Sequence, residues 1–238
     1  MKKIDVCLTP ELLHLHTIDN TIVVVADVFR ATSCIVTAFA YGVERIIPVA
    51  TVDECRDLQR QGYLAAAERN AQKIDGFDLD NSPFSYMDEG LRGVSVAMTT
   101  TNGTLAITKS RSAVKVLVGS FLNLDAIVSY LKSQSYDVLV LCAGWKGRFN
   151  LEDTLFAGAL VERLKDTCMM AEDSAIMAWR IYCQGQDNLI QYLANSSHVR
   201  RLQRLGIQKD IAYCLQHDLY DVVPVLRGNA LVNINMGR

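Results

Sequence analysis

The sequence predicts a three-layer α/β/α fold around a mostly parallel or mixed central sheet, built from repeated strand–turn–helix units. Ile22–Ala26 is an uninterrupted apolar run with three consecutive valines, typical of a strand buried on both faces of a sheet. Helical periodicity follows over Thr32–Tyr41 and stops at Gly42, the residue type that commonly closes a helix. Two further units repeat this order, with strands at 93–97 and 138–144. Strands that alternate with helices indicate an α/β protein.

The chain has 238 residues, of which 50% are hydrophobic and 21% charged, in the normal range for a globular enzyme. We predict a single domain over residues 1–238, with two similar halves at about 20–131 and 132–238. An internal repeat is suggested by aligning Val24 with Val96, although chance is an alternative because βαβ units share composition.

The net charge of −2 and the lack of basic runs interleaved with aromatics give no support for binding to nucleic acid or to a membrane. No apolar run is long enough to span a bilayer. The expected partner is therefore a small molecule, and the sequence allows a homo-oligomer. Seven scattered cysteines without a C-x-x-C pair indicate a reduced, cytoplasmic protein.

The first polar turn follows the valine-rich strand. It presents Asp27 and Arg30, and in open α/β proteins the ligand crevice lies beyond the carboxyl ends of the strands. Thr32, at the start of the helix, is a further candidate for ligand binding. The structural alternative is that Asp27 caps the helix and Arg30 pairs with it on the surface.

The second polar turn, T-T-T-N-G-T at 99–104, is rich in hydroxyls and opens a helix. Hydroxyls and the N–H groups of a helix start can bind phosphate or sulfonate, and Gly103 lets the backbone approach closely. The alternative is a hydroxyl-rich cap. Neither a Walker A loop nor a G-x-G-x-x-G motif is present, which disfavours a nucleotide cofactor.

The third polar turn, K-G-R-F-N-L-E-D-T, carries Arg148 on a hinge at Gly147. Arginine suits bidentate recognition of phosphate. Glu152 and Asp153 fall in the first turn of the following helix, where acids suit the dipole, so a structural account with Asn150 as the N-cap also exists. If the three strands lie side by side and point the same way, their turns converge on one crevice.

Residues 65–88 have weak periodicity and are interpreted as a long functional loop. The loop contains the charged residues Glu68, Arg69, Asp75, Asp78 and Asp80, followed by Asn81 and Ser82. Oxygen ligands without clustered histidine or cysteine indicate magnesium rather than zinc.

Residues 171–220 are predicted to be helical. They include the basic stretch H-V-R-R-L-Q-R-L, which we interpret as a solvated helix face rather than an anion site. The four histidines, among them His198, match no ligand or triad pattern. The final segment, D-V-V-P-V-L-R-G-N-A-L-V-N-I, predicts one or two short strands.

Four ordered blocks of the sequence resemble the 2-phosphosulfolactate phosphatase family over nearly the whole chain. They are D-V-F-R-A-T, A-E-R with G-F-D-L-D-N-S-P, T-T-T-N-G-T, and C-A-G-W-K-G-R-F-N-L-E-D-T-L-F-A-G. The resemblance implies a three-layer α/β/α fold and a magnesium-dependent phosphatase that converts 2-phosphosulfolactate to sulfolactate, a step towards coenzyme M in methanogens. Ala67 and Asp80 depart from the family pattern, which has glycine at both positions, and Asp80 adds a carboxylate beside the expected metal site.

The hypothesis drawn from these motifs is phosphoryl transfer supported by Mg²⁺, arginines and backbone N–H groups, with water attack favoured over an aspartyl-phosphate intermediate. A non-catalytic sensor of a phosphorylated or sulfonated acid is the alternative. The assigned residues are Asp27, Arg30, Arg148 and Glu152 for catalysis; Thr32, Arg69, Asn81, Ser82, Thr100, Thr101, Asn102, Gly103, Thr104 and Gly147 for the substrate; and Asp27, Glu68, Asp78 and Asp153 for the metal.

Overall fold

The computed structural model describes residues 1–69 and 72–234, which form strands and helices in alternation. The strands in these ranges are β1 (Lys2–Cys7), β2 (Thr21–Ala26), β3 (Arg45–Pro48), β4 (Leu64–Arg69), β5 (Gln72–Lys73), β6 (Ser95–Thr99), β7 (Lys115–Gly119), β8 (Asp137–Cys142), β9 (Cys168–Met170), β10 (Pro224–Arg227) and β11 (Ala230–Asn233). The α-helices are α1 (Ala31–Ala40), α2 (Val52–Arg60), α3 (Gly103–Lys109), α4 (Leu124–Lys132), α5 (Leu151–Leu164), α6 (Asp173–Gly185), α7 (Leu189–Leu193), α8 (Ser197–Arg204) and α9 (Gln208–Cys214). Short 3₁₀ helices lie at Pro10–Leu15, Pro83–Tyr86, Glu89–Leu91 and Phe121–Asn123.

The strands form one mixed sheet in the order β5-β4-β6-β3-β11-β10-β7-β2-β8-β1-β9. β7, β2, β8, β1 and β9 are parallel, and the antiparallel hairpin β10–β11 joins them to a second parallel group, β3, β6 and β4. Helices α4, α5 and α6 pack on one face of the first group, and α1 and α3 pack on the other. The predicted three-layer α/β/α fold is thus confirmed.

β2 is the most enclosed of these strands. Val24 pairs with Leu117 of β7 on one side and with Val140 of β8 on the other. Side chains alternate along the strand, so Val24 faces the core under α5 while Val25 faces the core under α1. All six residues of β2 are buried, as the valine run predicts.

β6 does not lie beside β2 and β8, contrary to the side-by-side arrangement expected from the three repeated units. Five strand pairings separate β6 from β2, and the hairpin between them reverses the strand direction. Neighbouring strands twist by roughly 20–25°, so five pairings accumulate about 100–125°. A twist of this size turns β6 away from a direction antiparallel to β2. Their carboxyl ends still meet, because the turn after β6 reaches Asp27 after β2.

Part of the predicted loop at 65–88 is a strand instead. β4 consists largely of alanines, which favour strands only weakly, and this explains the wrong prediction. Ala65 and Ala67 pack against Cys55 of α2, while Ala66 faces the core under α1. Small side chains let the helix lie close to the strand, so packing overrides the propensity.

The remaining predictions about the fold agree with the structure. The segment 171–220 forms α6, α7, α8 and α9, and the final segment forms the hairpin β10–β11. Among the helices of the described ranges, none has the length and apolar character needed to cross a membrane.

Candidate active site

The three polar turns and helix α8 enclose a cavity of about 50 Å³. The residues that line it are Asp27, Phe29, Arg30, Glu68, Asn81, Thr100, Thr101, Asn102, Trp145, Lys146, His198, Arg201 and Leu202. Carboxylates and cationic side chains thus line the same small space. We call this space the phosphoryl-sized cavity, because it has room for one tetrahedral group.

The turn after β2 places Asp27 at the cavity. The N–H of Asp27 donates to Thr32 Oγ1 at 3.1 Å, and the N–H of Thr32 donates to the Asp27 carbonyl at 3.0 Å. Thr32 therefore stabilises the turn and is fully buried, rather than lying among the cavity residues as expected for substrate binding. The pKa of Asp27 is raised to about 6, chiefly by burial; His198 opposes the rise, and nearby Glu152 and Glu68 add to it.

Arg30 lies beside Asp27 at the cavity but is held from the opposite side. Its Nη1 is 2.5 Å from Oδ2 of Asp210 on α9, and both side chains are largely buried. Asp27 and Arg30 are only 7% and 5% exposed. The alternative of a surface ion pair is therefore wrong, and both residues lie at the candidate site.

The T-T-T-N-G-T turn combines a cap with cavity contacts. The N–H of Thr104 donates to Thr100 Oγ1 at 3.2 Å, and Thr104 Oγ1 donates to the Thr100 carbonyl at 3.0 Å, so Thr104 is occupied within the turn. Thr100, Thr101 and Asn102 line the cavity. A Cβ at Gly103 would lie 2.7 Å from Ala31 Cβ and 3.0 Å from Asp27 Oδ2, so only glycine lets this turn close on Asp27.

Asp153, assigned to the metal from the sequence, does not line the cavity. Its carboxylate is fully buried and accepts the N–H of Val28 at 2.9 Å and that of Gly144 at 3.2 Å. Burial and the neighbouring Glu152 and Asp27 raise its pKa well above the ordinary value. Asp153 therefore holds together the turns after β2 and β8.

Arg148 and Gly147 lie in a different place from that expected. They line a neighbouring groove of about 750 Å³, which shares Trp145 and His198 with the phosphoryl-sized cavity. Gly144 and Gly147 adopt left-handed backbone conformations in this turn, which glycine allows without strain. Arg148 is exposed, so the structure does not bring it to Asp27.

The acids of the long loop are mostly engaged in the loop itself. Asp78 accepts the N–H of Ala65 at 2.8 Å and Nε2 of Gln59 at 3.0 Å, and it is absent from the cavity lining. Asp80 accepts the N–H of Ser82 at 2.8 Å, so both residues belong to a local turn. The structure therefore does not support Asp78 as a metal ligand or Ser82 as a substrate ligand.

The loop contains two further charged residues, Asp75 and Arg69. Asp75 is exposed, in a turn outside the cavity lining. The side chain of Arg69 lies outside the described part of the chain, so its assignment to the substrate stays a prediction.

The residues missed by the sequence interpretation come chiefly from α8. His198 and Arg201 lie one helical turn apart and both face the cavity, so the interpretation of this stretch as a solvated face is wrong for them. Arg201 Cζ lies 4.4 Å from the Trp145 ring centroid, and Lys146 Nζ lies 4.7 Å from it. One feature of the sequence pointed to a buried side of this helix: the apolar residues Val199 and Leu202 lie in the same stretch as the basic residues.

The donor set at the cavity can be compared with the needs of Mg²⁺. Within residues 1–69 and 72–234, no three His, Cys, Asp or Glu side chains form a ready-made metal cluster. Mg²⁺ usually keeps several waters and takes only one or two carboxylates besides substrate phosphate oxygens. Asp27 and Glu68 line the cavity with Asn81, whose Oδ1 is buried without a hydrogen-bond partner. Carboxylate and amide oxygens are of the ligand type that Mg²⁺ takes in proteins.

In metal-free protein, Asp27→Asn is expected to raise the free energy of unfolding at pH 8. The pKa of Asp27 is about 6 in the folded state and 3.8 ordinarily, so the folded protein holds this proton more tightly than the unfolded chain. The stabilisation is complete below about pH 4 and is lost as the pH rises through about 6. Asparagine stays neutral, so its advantage at pH 8 reaches on the order of 3 kcal/mol.

Urea unfolding in EDTA at pH 8 and pH 5 measures this difference, which is expected to shrink at pH 5. Asp166→Asn, at an exposed position, serves as the control and should be near neutral at both pH values. An Asp27→Asn effect that is independent of pH would contradict a raised pKa.

Comparison with known proteins agrees with the resemblance seen in the motifs. A family model described as 2-phosphosulpholactate phosphatase matches residues 7–229. A probable 2-phosphosulfolactate phosphatase of Thermotoga petrophila is 46% identical over 203 residues, which cover 85% of this chain and 88% of the relative. Proteins of the same name from Caldanaerobacter subterraneus and Clostridium botulinum (strain Eklund 17B / Type B) are 41% and 32% identical, covering 86% and 98% of this chain and 87% and 100% of the relatives. The chain therefore belongs to the 2-phosphosulpholactate phosphatase family, a family of phosphoric monoester hydrolases.

Proposed function

We propose that this protein is a magnesium-dependent phosphatase that releases phosphate from a small 2-phospho acid, with 2-phosphosulfolactate as substrate and sulfolactate as product. The observation that carries the proposal is the phosphoryl-sized cavity, where Asp27 and Glu68 meet Arg30, Lys146 and Arg201. Relatives that span most of the chain bear the name of this activity.

The cationic residues bind and stabilise the transferred group. Phosphoryl transfer spreads negative charge over the phosphoryl oxygens, and catalysis consists mainly of positioning and charge stabilisation. Arg30, held by Asp210, provides a fixed guanidinium, while Arg201 approaches from α8. Thr101 and Asn102 add polar groups to the lining of the cavity. A fixed array of this kind needs little reorganisation in the transition state.

Asp27, Glu68 and the amide oxygen of Asn81 are the residues that would hold magnesium. When bound there, Mg²⁺ neutralises charge on the phosphoryl oxygens. The buried and unpartnered Oδ1 of Asn81 supports this assignment, because such an oxygen is costly unless a ligand satisfies it.

Asp27 also acts on the attacking water molecule. A carboxylate has two oxygens with several lone pairs, so it can face an ion and a water together. Asp27 therefore orients the water and accepts its proton as the new P–O bond forms.

The proposal predicts magnesium-dependent release of phosphate from 2-phosphosulfolactate, with slower release from 2-phospholactate and from p-nitrophenyl phosphate. Phosphate is measured with Mg²⁺ and again with EDTA, which should abolish turnover. Binding without turnover of any of these esters would favour the sensor alternative. Turnover that survives EDTA would contradict the role of the metal.

Two matched variants locate the magnesium. Glu68→Gln should increase the Mg²⁺ concentration needed for half-maximal activity by roughly tenfold or more, since it removes a carboxylate from the cavity. Asp78→Asn serves as the control, because Asp78 is engaged with Ala65 and Gln59 outside the cavity. Equal magnesium requirements in both variants would remove Glu68 from the metal site.

Arg201→Ala is expected to lower kcat/KM by roughly 10²–10³-fold, the usual loss when one group that stabilises transition-state charge is removed. Arg148→Ala provides the comparison, because Arg148 lies in the neighbouring groove and should change kcat less than about tenfold. Steady-state kinetics on 2-phosphosulfolactate distinguishes the two. A larger loss of kcat in Arg148→Ala would restore the assignment made from the sequence.

A further inference from the structure

His198 is fixed at the cavity wall by contacts on each side of its ring. Its Nδ1 lies 2.5 Å from Oε1 of Glu152, and its Nε2 lies 2.8 Å from Nη2 of Arg201. The ring of Phe29 packs edge-on, with a centroid separation of 6.1 Å. His198 is only 8% exposed, so its ring has a defined direction towards the cavity.

These contacts determine which nitrogen carries the proton. A guanidinium can only donate hydrogen bonds, so Nε2 accepts from Arg201 and carries no proton in the free protein. Nδ1 therefore bears the hydrogen and donates it to Glu152. The basic nitrogen of His198 is thus Nε2, on the side of Arg201.

Glu152 holds this ring through Nδ1. It is fully buried in the first turn of α5, and its second oxygen, Oε2, has no hydrogen-bond partner in the described part of the protein. A buried carboxylate with a single hydrogen bond is poorly compensated. The hydrogen bond to Nδ1 is therefore the contact through which Glu152 orients the ring of His198.

We propose that His198 is the general acid of the phosphatase reaction and that Glu152 is its positioning residue. The proposal rests on the function proposed above and identifies the group that protonates the leaving oxygen. When the phosphoryl group binds, it takes the donors of Arg201, and Nε2, protonated from solvent, faces the ester oxygen.

The bond between phosphorus and the ester oxygen breaks, and its electron pair stays on that oxygen. The oxygen takes the proton from His198 Nε2 and leaves as an alcohol. The oxygen of water forms the new bond to phosphorus and gives its proton to Asp27. An alkoxide is a poor leaving group, so this proton transfer matters for a 2-phospho acid.

Other groups fit the role less well. Asp153 is buried against Val28 and Gly144 and does not line the cavity. Lys146 is exposed beside Trp145. Of the four histidines, all within the described ranges, only His198 is among the residues that line the cavity.

The test compares two leaving groups in the His198→Asn variant with Mg²⁺ present. Hydrolysis of 2-phospholactate, whose leaving group is an alkoxide, should lose roughly 10²–10⁴-fold in kcat. Hydrolysis of p-nitrophenyl phosphate should lose less than about tenfold, because p-nitrophenolate leaves without a proton. The second substrate also shows whether the variant folds. His217→Asn, at a histidine that packs on Phe121, should leave the ratio of the two rates unchanged.

Glu152→Gln extends the test through the positioning residue. It keeps the volume of the buried side chain but removes its charge, and it should shift the two-substrate ratio in the same direction by a smaller factor. This variant also decides the matter if His198→Asn does not fold. Addition of imidazole to His198→Asn should restore turnover of 2-phospholactate more than that of p-nitrophenyl phosphate.

Equal losses on both substrates, or no loss on either, would overturn the role of His198 as the acid. An unchanged ratio in Glu152→Gln would overturn its positioning role. Failure of the wild-type protein to hydrolyse 2-phosphosulfolactate, as well as these two esters, would instead contradict the proposed function, so the two failures are distinguishable.

Discussion

Asp153 joins the ends of β2 and β8 through hydrogen bonds from two backbone N–H groups, and the candidate site is built on that junction. The bonds come from Val28 and Gly144, each of which is the second residue after the end of its strand. Loss of the carboxylate would leave two buried N–H groups unpaired, which is costly in the interior. Glu152 precedes Asp153 in the same helical turn, so the same junction places a second carboxylate against His198.

This junction concentrates acidic groups where water is scarce. Asp27, Glu152 and Asp153 influence one another, and burial with mutual repulsion raises the pKa values of Asp27 and Asp153. His198 opposes the effect at Asp27, and Arg30 and Arg201 bring positive charge to the same cavity. Such an arrangement destabilises the folded state while it prepares groups for proton transfer, a common relation between stability and activity.

The twist of the sheet completes the site from the other side. β6 belongs to the strand group beyond the β10–β11 hairpin, yet its turn closes on Asp27 through Gly103. Two groups of strands that differ in direction therefore contribute to one cavity. Glu68 lies on β4, in the same strand group as β6, and Asn81 lies in the loop that follows β4. The carboxylates of the cavity therefore come from both halves of the sheet. The twist of the sheet favours this convergence.

The sequence by itself determined the local features: the doubly buried strand β2, the polar turns that follow three strands, and the placement of Asp27, Arg30 and the T-T-T-N-G-T turn at a site. Each depends on periodicity and composition over a few residues. Tertiary structure alone decided which charged residues share the cavity. Arg148 and Asp78 lie outside it, whereas His198 and Arg201 lie within it. The physical reason is that helix packing and sheet twist depend on contacts between segments far apart in the chain. The spacing of residues within one segment does not encode these contacts.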